Sequence, residues 1–340
     1  MKTVGDRRLR PLVERVLAGQ PPDAADAAAL ADLARGDGAQ LLAAAWRVRE
    51  RFFGRAVRMC SIAAGKLGGC GEDCAWCAQS HRSDTQQGPR TVRTPVEDVL
   101  AAARRTTQAG AAGRFGIVNS GRRPTDADID AVIDALDRIG ADGSCDVRLC
   151  ASLGEITESQ ARRLAAAGLD RYHHNLETSR EMFPHLVTGH TYDDRLATLA
   201  AARRGGLGLC CGGLFGLGES WEDRISLALT LGDQVRPDCV PLNFLQPIPG
   251  TAMENQPPLG PDECLTIIAT FRLLLPTTDI KVAGGREFCL GDQQHRIFHA
   301  GATSCMTGGY LTTTGQSAAE DLKMVAEMGF NVVSELPPVD

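Results

Sequence analysis

The sequence has no long apolar run, no block of basic residues and no apolar segment near its N-terminus. Nowhere in its 340 residues does an apolar run approach the ~20 residues that span a bilayer, so we expect no membrane partner. The net charge of −6 argues against nucleic acid as a partner. Residues 1–16 are charged and carry no secretion signal, which predicts a cytoplasmic protein.

A cytoplasmic protein also lacks the oxidising surroundings in which disulfides persist. The twelve cysteines of this chain therefore have to be explained mainly by metal or redox chemistry. Three of them fall in one short segment, Cys70-Gly-Glu-Asp-Cys74-Ala-Trp-Cys77. Three thiolates hold three corners of a [4Fe–4S] cluster, and no fourth cysteine follows nearby. The fourth iron is then free to bind a small molecule, which is typical of a cluster that does chemistry.

Two other readings of this segment are weaker. A structural zinc site usually shows paired C-x2-C knuckles or added histidines, and this segment shows neither. Unrelated buried thiols rarely occur three together in a glycine-rich loop. The spacing instead resembles the radical S-adenosylmethionine (SAM) superfamily, in which the open iron binds SAM. Trp76 stands where that motif carries an aromatic residue beside the adenine.

The rest of the chain predicts a barrel. Residues 1–55 predict an N-terminal helical extension, and from residue 56 short apolar segments alternate with amphipathic stretches of helical length. Eight such units predict a (β/α)8 TIM-type barrel over 56–330, followed by a C-terminal tail, 331–340. A doubly wound sheet in two domains is the alternative, but no linker interrupts the pattern. The predicted strands are Ala56–Ala63, Arg114–Asn119, Asp146–Ser152, Asp170–Glu177, Leu207–Leu214, Asp238–Leu245, Asp279–Ala283 and Ala302–Met306.

Strand side chains alternate between two faces, so the sequence predicts which cysteines enter the lumen. Cys211 shares a face with leucines, whereas Cys210 shares one with glycines that leave room inside the barrel. The same argument turns four cysteines inward: Cys60, Cys150, Cys210 and Cys239. Small thiols often simply fill a tight core. Four of them near Arg58, Arg148 and Arg286 nevertheless favour a second iron–sulfur cluster.

Longer phrases are more specific than the cysteine spacing. They are GGCGEDCAWCAQS (68–80), YHHNLETS (172–179), CCGGLFGLGE (210–219), VPLN (240–243), AGGRE (283–287) and LTT (311–313). With these phrases the chain resembles the biotin synthase family over nearly the whole barrel. That resemblance implies sulfur insertion into dethiobiotin, with a SAM-bound [4Fe–4S] cluster and a deeper auxiliary cluster that donates the sulfur.

The resemblance also implies residue roles. Ligands of the SAM cluster would be Cys70, Cys74 and Cys77. Asn175 and Glu177 would bind SAM, with Glu177 on the ribose hydroxyls. Asn175 and Asn243 suit the ureido ring of dethiobiotin, and Thr312 and Thr313 would hold its carboxylate. Ordinary explanations also exist, since Asn243 suits a strand end and threonine is a good β-former. Auxiliary-cluster ligands would be Cys150, Cys210 and Arg286.

One ligand of the common pattern is missing. The best-known branch of the family has a cysteine directly after an Arg-Phe pair, and this chain has Arg114-Phe115-Gly116. Cys60 is the predicted replacement and Cys239 a weaker candidate. Cys-Ser-Ile (60–62) before the motif and Leu-Thr-Thr-Thr-Gly (311–315) near the end resemble a second branch, for which a different cluster such as [4Fe–5S] is implied. The auxiliary cluster of this chain is therefore expected to be [2Fe–2S] or a larger type such as [4Fe–5S]. His190 also replaces an arginine of the common pattern near the SAM carboxylate.

The resemblance further implies an electron donor of the ferredoxin or flavodoxin type and a homodimer. Two other functions remain as alternatives. Another radical SAM enzyme of this group, acting on a different small substrate, would not need the auxiliary cysteines. A non-catalytic iron–sulfur protein would need neither SAM cleavage nor Asn175 and Glu177.

Overall fold

The computed structural model describes residues 9–36, 38–85, 91–309 and 315–339. Three helices precede the first strand: α1 (Leu9–Leu17), α2 (Ala24–Gly36) and α3 (Gly38–Phe53). Each buries its apolar positions on one side, as Leu30 and Leu33 of α2 do. In the described part of the chain, no helix has the length and apolar character needed to cross a membrane.

Eleven strands lie within the described residues, and eight of them close a parallel barrel. The strands are β1 (Ala56–Leu67), β2 (Val92–Arg93), β3 (Arg114–Asn119), β4 (Arg148–Ser152), β5 (Arg171–His173), β6 (Gly208–Cys210), β7 (Gly213–Phe215), β8 (Cys239–Phe244), β9 (Asp279–Val282), β10 (Ser304–Met306) and β11 (Asn331–Val332). The barrel runs in the order β1, β3, β4, β5, β6, β8, β9, β10, and β10 pairs with β1 again. The predicted (β/α)8 fold is therefore confirmed.

Helices alternate with these strands and surround them. They are α4 (Val96–Gln108), α5 (Asp126–Ala141), α6 (Glu158–Ala166), α7 (Phe183–Leu186), α8 (Tyr192–Arg204), α9 (Trp221–Thr230), α10 (Pro261–Leu274), α11 (Arg286–Leu290) and α12 (Ala318–Glu327). Five begin with a capping box, in which a hydroxyl and the side chain three residues later bond each other's backbone N–H. The N-cap residues are Thr125, Thr157, Thr191, Ser220 and Ser317.

One predicted strand is divided in the structure, and a glycine explains the division. The strand predicted over 207–214 is divided into β6 and β7, and at the break the backbone of Gly212 lies against Pro241 too closely for any side chain. After α11 the chain continues as a 3-10 helix, Gly291–Ile297. Left-handed backbone at Gly285 and Gly291 bounds α11 on both sides.

The end of the chain returns to the start of the barrel. β11 pairs in parallel with the first residues of β1, and the backbone of Gly113 lies directly against Ser334. Because both contacts are at the N-terminal ends of strands, the segment after β11 lies below the barrel. The loop after β1, which carries the three-cysteine motif, lies at the opposite end, where barrel enzymes place their chemistry.

Candidate functional site

One cavity of ≈ 380 Å³ lies inside the barrel. At its mouth it is lined by Trp76, Cys77 and Gln79 of the loop after β1. Towards its base it is lined by Arg58 and Arg114, which lie near the N-terminal ends of their strands. The cavity therefore extends from the cysteine loop deep into the barrel.

Two carboxylates inside the motif hold the cysteine loop in place. Asp73 accepts hydrogen bonds from the backbone N–H of Thr188 and of Gly189, both at 3.0 Å, and from the Thr188 hydroxyl. Glu72 Oε2 lies 2.5 Å from His190 Nδ1, and both side chains are buried. The loop is thus fixed to the segment 188–190, which precedes α8.

The electrostatics of Asp73 are those of a permanent anion. Burial opposes its charge, but the hydrogen bonds from Thr188 and Gly189 and the charge of Arg82 outweigh burial and hold the pKa of Asp73 at about 2. His190, which stands where the common pattern has an arginine, is engaged by Glu72.

The three motif thiols share one electrostatic environment. Burial raises the pKa of Cys74 to about 12, and Cys74 interacts with the charges of Cys70, Cys77, Glu177 and Arg195. A thiol binds iron only as the thiolate, so iron binding here displaces protons. Among the described residues, no three His, Cys, Asp or Glu side chains are grouped to ligate a single metal ion. In an iron–sulfur cluster each thiolate binds a different iron, so the three motif sulfurs need not meet at one point.

Asn175 and Glu177 lie beside this loop and line the cavity. Asn175 Nδ2 donates to Glu177 Oε2 at 3.3 Å, and its Oδ1 accepts from the backbone N–H of Gly212 at 3.1 Å. Glu177 has a φ of 70°, in the left-handed region that a residue with a side chain seldom adopts. A hydrogen bond of 2.7 Å from Leu214 N to Glu177 O helps to hold this conformation.

Arg195 belongs to this group and was missed by the sequence analysis. Its Nη1 donates to Asn175 O at 2.7 Å and lies 3.8 Å from Glu177 Oε1. Its Nε finds no hydrogen-bond partner among the described residues, although the atom is buried. The residue lies inside α8, where its sequence looks like that of any amphipathic helix, so only the fold shows that it contacts Asn175 and Glu177.

Deeper in the cavity, the four cysteines predicted to face inward all line its wall. They are Cys60, Cys150, Cys210 and Cys239. They surround Lys281 of β9, whose Nζ lies 3.6 Å from Cys210 Sγ. Burial would lower the pKa of Lys281, but the charges of these thiols, with Cys210 foremost, raise it well above its usual value. The sequence analysis missed Lys281, although a lysine two residues after Asp279 in a short strand indicates a charged lumen.

Other basic side chains also face these sulfurs. His173 Nδ1 lies 3.4 Å from Cys210 Sγ, and Arg114 Nη1 lies 3.8 Å from Cys150 Sγ. Arg171 lines the cavity too, and its Nη1 has no hydrogen-bond partner within the described residues. The base of the cavity therefore combines thiols with positive charge, a donor set that suits an anionic iron–sulfur cluster.

Arg286 and Arg148 are not brought to this group. The Arg286 side chain is completely buried and pairs with Asp321 at 2.7 Å and Glu287 at 2.9 Å. It does not line the cavity, because the chain turns away at Gly285 after β9 ends. The Arg148 side chain is 59% exposed below the barrel. Of the cations predicted beside the thiols, Arg58 alone lines the cavity.

Asn243 lines the cavity, but its amide also joins two parts of the backbone. Its Nδ2 donates to Gly213 O at 3.0 Å, and its Oδ1 accepts from Gly284 N at 2.9 Å. One N–H and one lone pair remain for a ligand. Thr312 and Thr313 lie outside the described residues.

Comparison with known proteins gives consistent results. Residues 66–231 match the profile of the Radical SAM superfamily, and residues 241–331 match the Biotin and Thiamin Synthesis associated domain. A biotin synthase from Nitratidesulfovibrio vulgaris is 45% identical over 92% of this chain and 86% of its own length. One from Heliobacterium modesticaldum is 42% identical over 93% of this chain and 96% of its own.

Solved structures share the fold at lower identity. The [FeFe]-hydrogenase maturase HydG has a TM-score of 0.80 at 17% identity, covering 98% of this chain and 76% of its own. Methylornithine synthase has a TM-score of 0.78 at 19% identity, covering 95% and 97%. At these identities the likeness shows the barrel fold alone.

Asp73→Asn tests the attachment of the cysteine loop. An amide cannot accept all the hydrogen bonds that the carboxylate accepts, so the loop should shift against the segment 188–190. We expect cluster iron to be retained and SAM to bind about tenfold more weakly, a change of about 1.4 kcal/mol. Iron analysis and anaerobic equilibrium dialysis with SAM measure both quantities. The exposed Asp84→Asn variant is the control, and unchanged SAM affinity in Asp73→Asn would contradict the role given to Asp73.

Proposed function

The chain belongs to the biotin synthase family of radical SAM enzymes, and on that premise we propose that it inserts sulfur into dethiobiotin to form biotin. The observation that carries the proposal is the single cavity that connects the three-cysteine loop with four deeper thiols. A substrate held in this cavity lies between two groups of sulfur ligands. A radical SAM enzyme that only rearranges its substrate would not need the deeper group.

Cys70, Cys74 and Cys77 are the proposed ligands of the [4Fe–4S] cluster. Bound there, the cluster and SAM supply hydrogen-abstraction chemistry, and the auxiliary cluster supplies sulfur. The protein positions the reactants: Trp76 packs on the adenine, Glu177 accepts from the ribose hydroxyls and Asn175 orients Glu177. These roles explain why Glu177 is held in a left-handed conformation beside the loop.

Arg195 is the proposed partner of the SAM carboxylate. Its unpartnered Nε and its position beside Asn175 and Glu177 support this role. A guanidinium binds a carboxylate with two parallel hydrogen bonds, which a neutral histidine cannot do. Arg195 thereby takes the function expected of the residue at 190, where His190 is engaged by Glu72.

The proposed ligands of the auxiliary cluster are Cys60, Cys150 and Cys210, with Cys239 as the fourth. Four thiols are a full ligand set for a [2Fe–2S] cluster, with two on each iron, or for a larger type such as [4Fe–5S], with one on each of four irons. The sequence predicted Arg286 as a ligand, and that assignment has no support from its position beside Asp321. Lys281 is the proposed cation at this cluster.

The substrate is proposed to lie between the two clusters, with its ureido ring on Asn243 and Asn175. The remaining N–H and lone pair of Asn243 match the carbonyl and an N–H of that ring. Binding of the carboxylate by Thr312 and Thr313 stays a prediction from the family resemblance. A ferredoxin or flavodoxin type electron donor, a homodimer and a cytoplasmic location are proposed on the same ground.

The function is tested by anaerobic incubation with SAM, dethiobiotin and a reductant. We expect 5′-deoxyadenosine and biotin, both identified by mass spectrometry, and neither product with Glu177→Ala. Formation of 5′-deoxyadenosine without biotin would point to a different radical SAM reaction. Absence of both products from a protein that contains its clusters would indicate a non-catalytic iron–sulfur protein.

Cys60→Ala tests the replaced ligand. If Cys60 holds the auxiliary cluster, the variant should lose roughly a third to a half of its iron and keep the SAM cluster. Iron and sulfide analysis with Mössbauer spectra measures this loss. Cys305→Ala is a matched control, because Cys305 is buried on the neighbouring strand β10 and does not line the cavity. Equal iron in wild type and Cys60→Ala would contradict the assignment.

Lys281→Met and Arg286→Lys together test which cation serves the auxiliary cluster. Lys281→Met removes the charge that faces the thiols, so we expect the auxiliary cluster to be lost and the SAM cluster kept. Arg286→Lys keeps a cation beside Asp321 and should retain both clusters. Mössbauer spectra distinguish the two clusters. Loss of the auxiliary cluster in Arg286→Lys but not in Lys281→Met would instead identify Arg286 as the cation that serves this cluster.

A further inference from the structure

A carboxylate from the C-terminal tail sits among three arginines at the bottom of the barrel. The carboxylate of Glu335 lies 3.2 Å from Arg58 Nη1, 3.0 Å from Arg114 Nη2 and 3.4 Å from Arg148 Nε. These arginines come from β1, β3 and β4, close to the N-terminal ends of the strands. Glu335 is therefore a negative group placed where three strands present positive charge.

This group of ion pairs stands between the cavity and the solvent. Arg58 and Arg114 line the base of the cavity, and their side chains are only 4% and 6% exposed. On their other side they hold Glu335, whose side chain is 40% exposed. One layer of side chains thus separates the deep thiols from water at this point.

The base of the cavity presents an excess of donors for an anion. Arg58 pairs with Asp279, and Arg114 pairs with Asp170. Arg171 Nη1 and Arg114 Nε nevertheless have no hydrogen-bond partner among the described residues. Lys281 adds a further positive charge directly beside the thiols. A small anion that passed Glu335 would meet these groups on its way to the sulfurs.

The tail that carries Glu335 is attached by few backbone hydrogen bonds. β11 has two residues, and the hydrogen bonds Asn331 N to Arg55 O and Val333 N to Val57 O, each 2.9 Å, fix it to β1. Residues 334–339 contain no helix or strand. A segment with so few backbone bonds opens at low cost compared with the barrel strands.

We propose that this layer is a gated inlet for hydrosulfide, through which the sulfide used in each turnover is replaced, and that Glu335 is its gate. The proposal rests on the proposed function, because only a cluster that gives up sulfur needs the anion. Glu335 and the incoming anion compete for the same guanidiniums, so release of one makes room for the other. The mouth at the other end is taken up by SAM and the substrate. No oxidant or reductant is required, since hydrosulfide releases its proton to water when it binds iron and its sulfur stays at the sulfide oxidation level.

The first test is exchange of isotopically labelled hydrosulfide into the acid-labile sulfide of the holoenzyme. Glu335→Gln removes the competing charge, and we expect exchange about tenfold faster than in wild type, because charge-assisted bonds are lost. This acceleration should shrink as salt is added, since entry of an anion past arginines is screened. Glu327→Gln, an exposed glutamate on α12, is the matched control and should exchange at the wild-type rate. Equal rates in wild type and Glu335→Gln, or a faster rate independent of salt, would overturn the proposal.

The second test does not need the auxiliary cluster. In the cluster-free full chain, iodoacetate and iodoacetamide alkylate accessible thiols with similar size but different charge. Glu335→Gln should raise the rate at Cys60 and Cys239 more for the anionic reagent than for the neutral one, as peptide mass spectrometry would show. An equal rise with both reagents would mean that the variant merely loosens the fold, and would contradict the inlet. If this selectivity is found in a protein that makes no biotin, the proposed function fails while the anion inlet stands.

Discussion

Charge inside the barrel is the constraint on which the rest of the structure depends. Inward side chains of a closed parallel barrel are removed from bulk water, so each charge there needs a partner. Burial opposes the charge of Asp279, yet Arg58, Ser304 and Thr303 hold its pKa at about 2. Lys281 takes sulfur as its partner instead. The deep thiols are therefore part of the electrostatic balance of the fold as well as candidate ligands.

The two ends of the cavity use carboxylates in opposite ways. At the mouth, Asp73 is almost completely buried, and two backbone N–H groups point at it, so the cysteine loop is held rigidly. At the base, Glu335 lies on a tail with little secondary structure. It is partly exposed and pairs with arginine side chains. Bonds to fixed backbone donors favour one geometry, whereas ion pairs open to water are weakened by solvent and salt. The contacts at the mouth thus hold the cysteine loop in one position, whereas those at the base allow Glu335 to separate from the arginines.

The sequence was sufficient where the signal was local. Eight alternating strand and helix patterns led to the barrel, and the alternation of strand faces led to Cys60, Cys150, Cys210 and Cys239 in its lumen. The sequence was not sufficient where a turn or a long-range contact determines where a side chain lies. Arg286 follows two glycines, and the left-handed Gly285 carries it out of the lumen.

Glu335 is separated by hundreds of residues from the arginines it meets, so no periodic pattern in the sequence reveals that contact. The other groups at the base of the cavity are also far apart in the sequence, so the sequence alone does not show that they meet. Burial raises the pKa of Cys150, and the charge of Arg114 opposes that rise only in part. Such a thiol stays protonated until a metal competes for the sulfur, so loading of the deep site releases protons into the lumen.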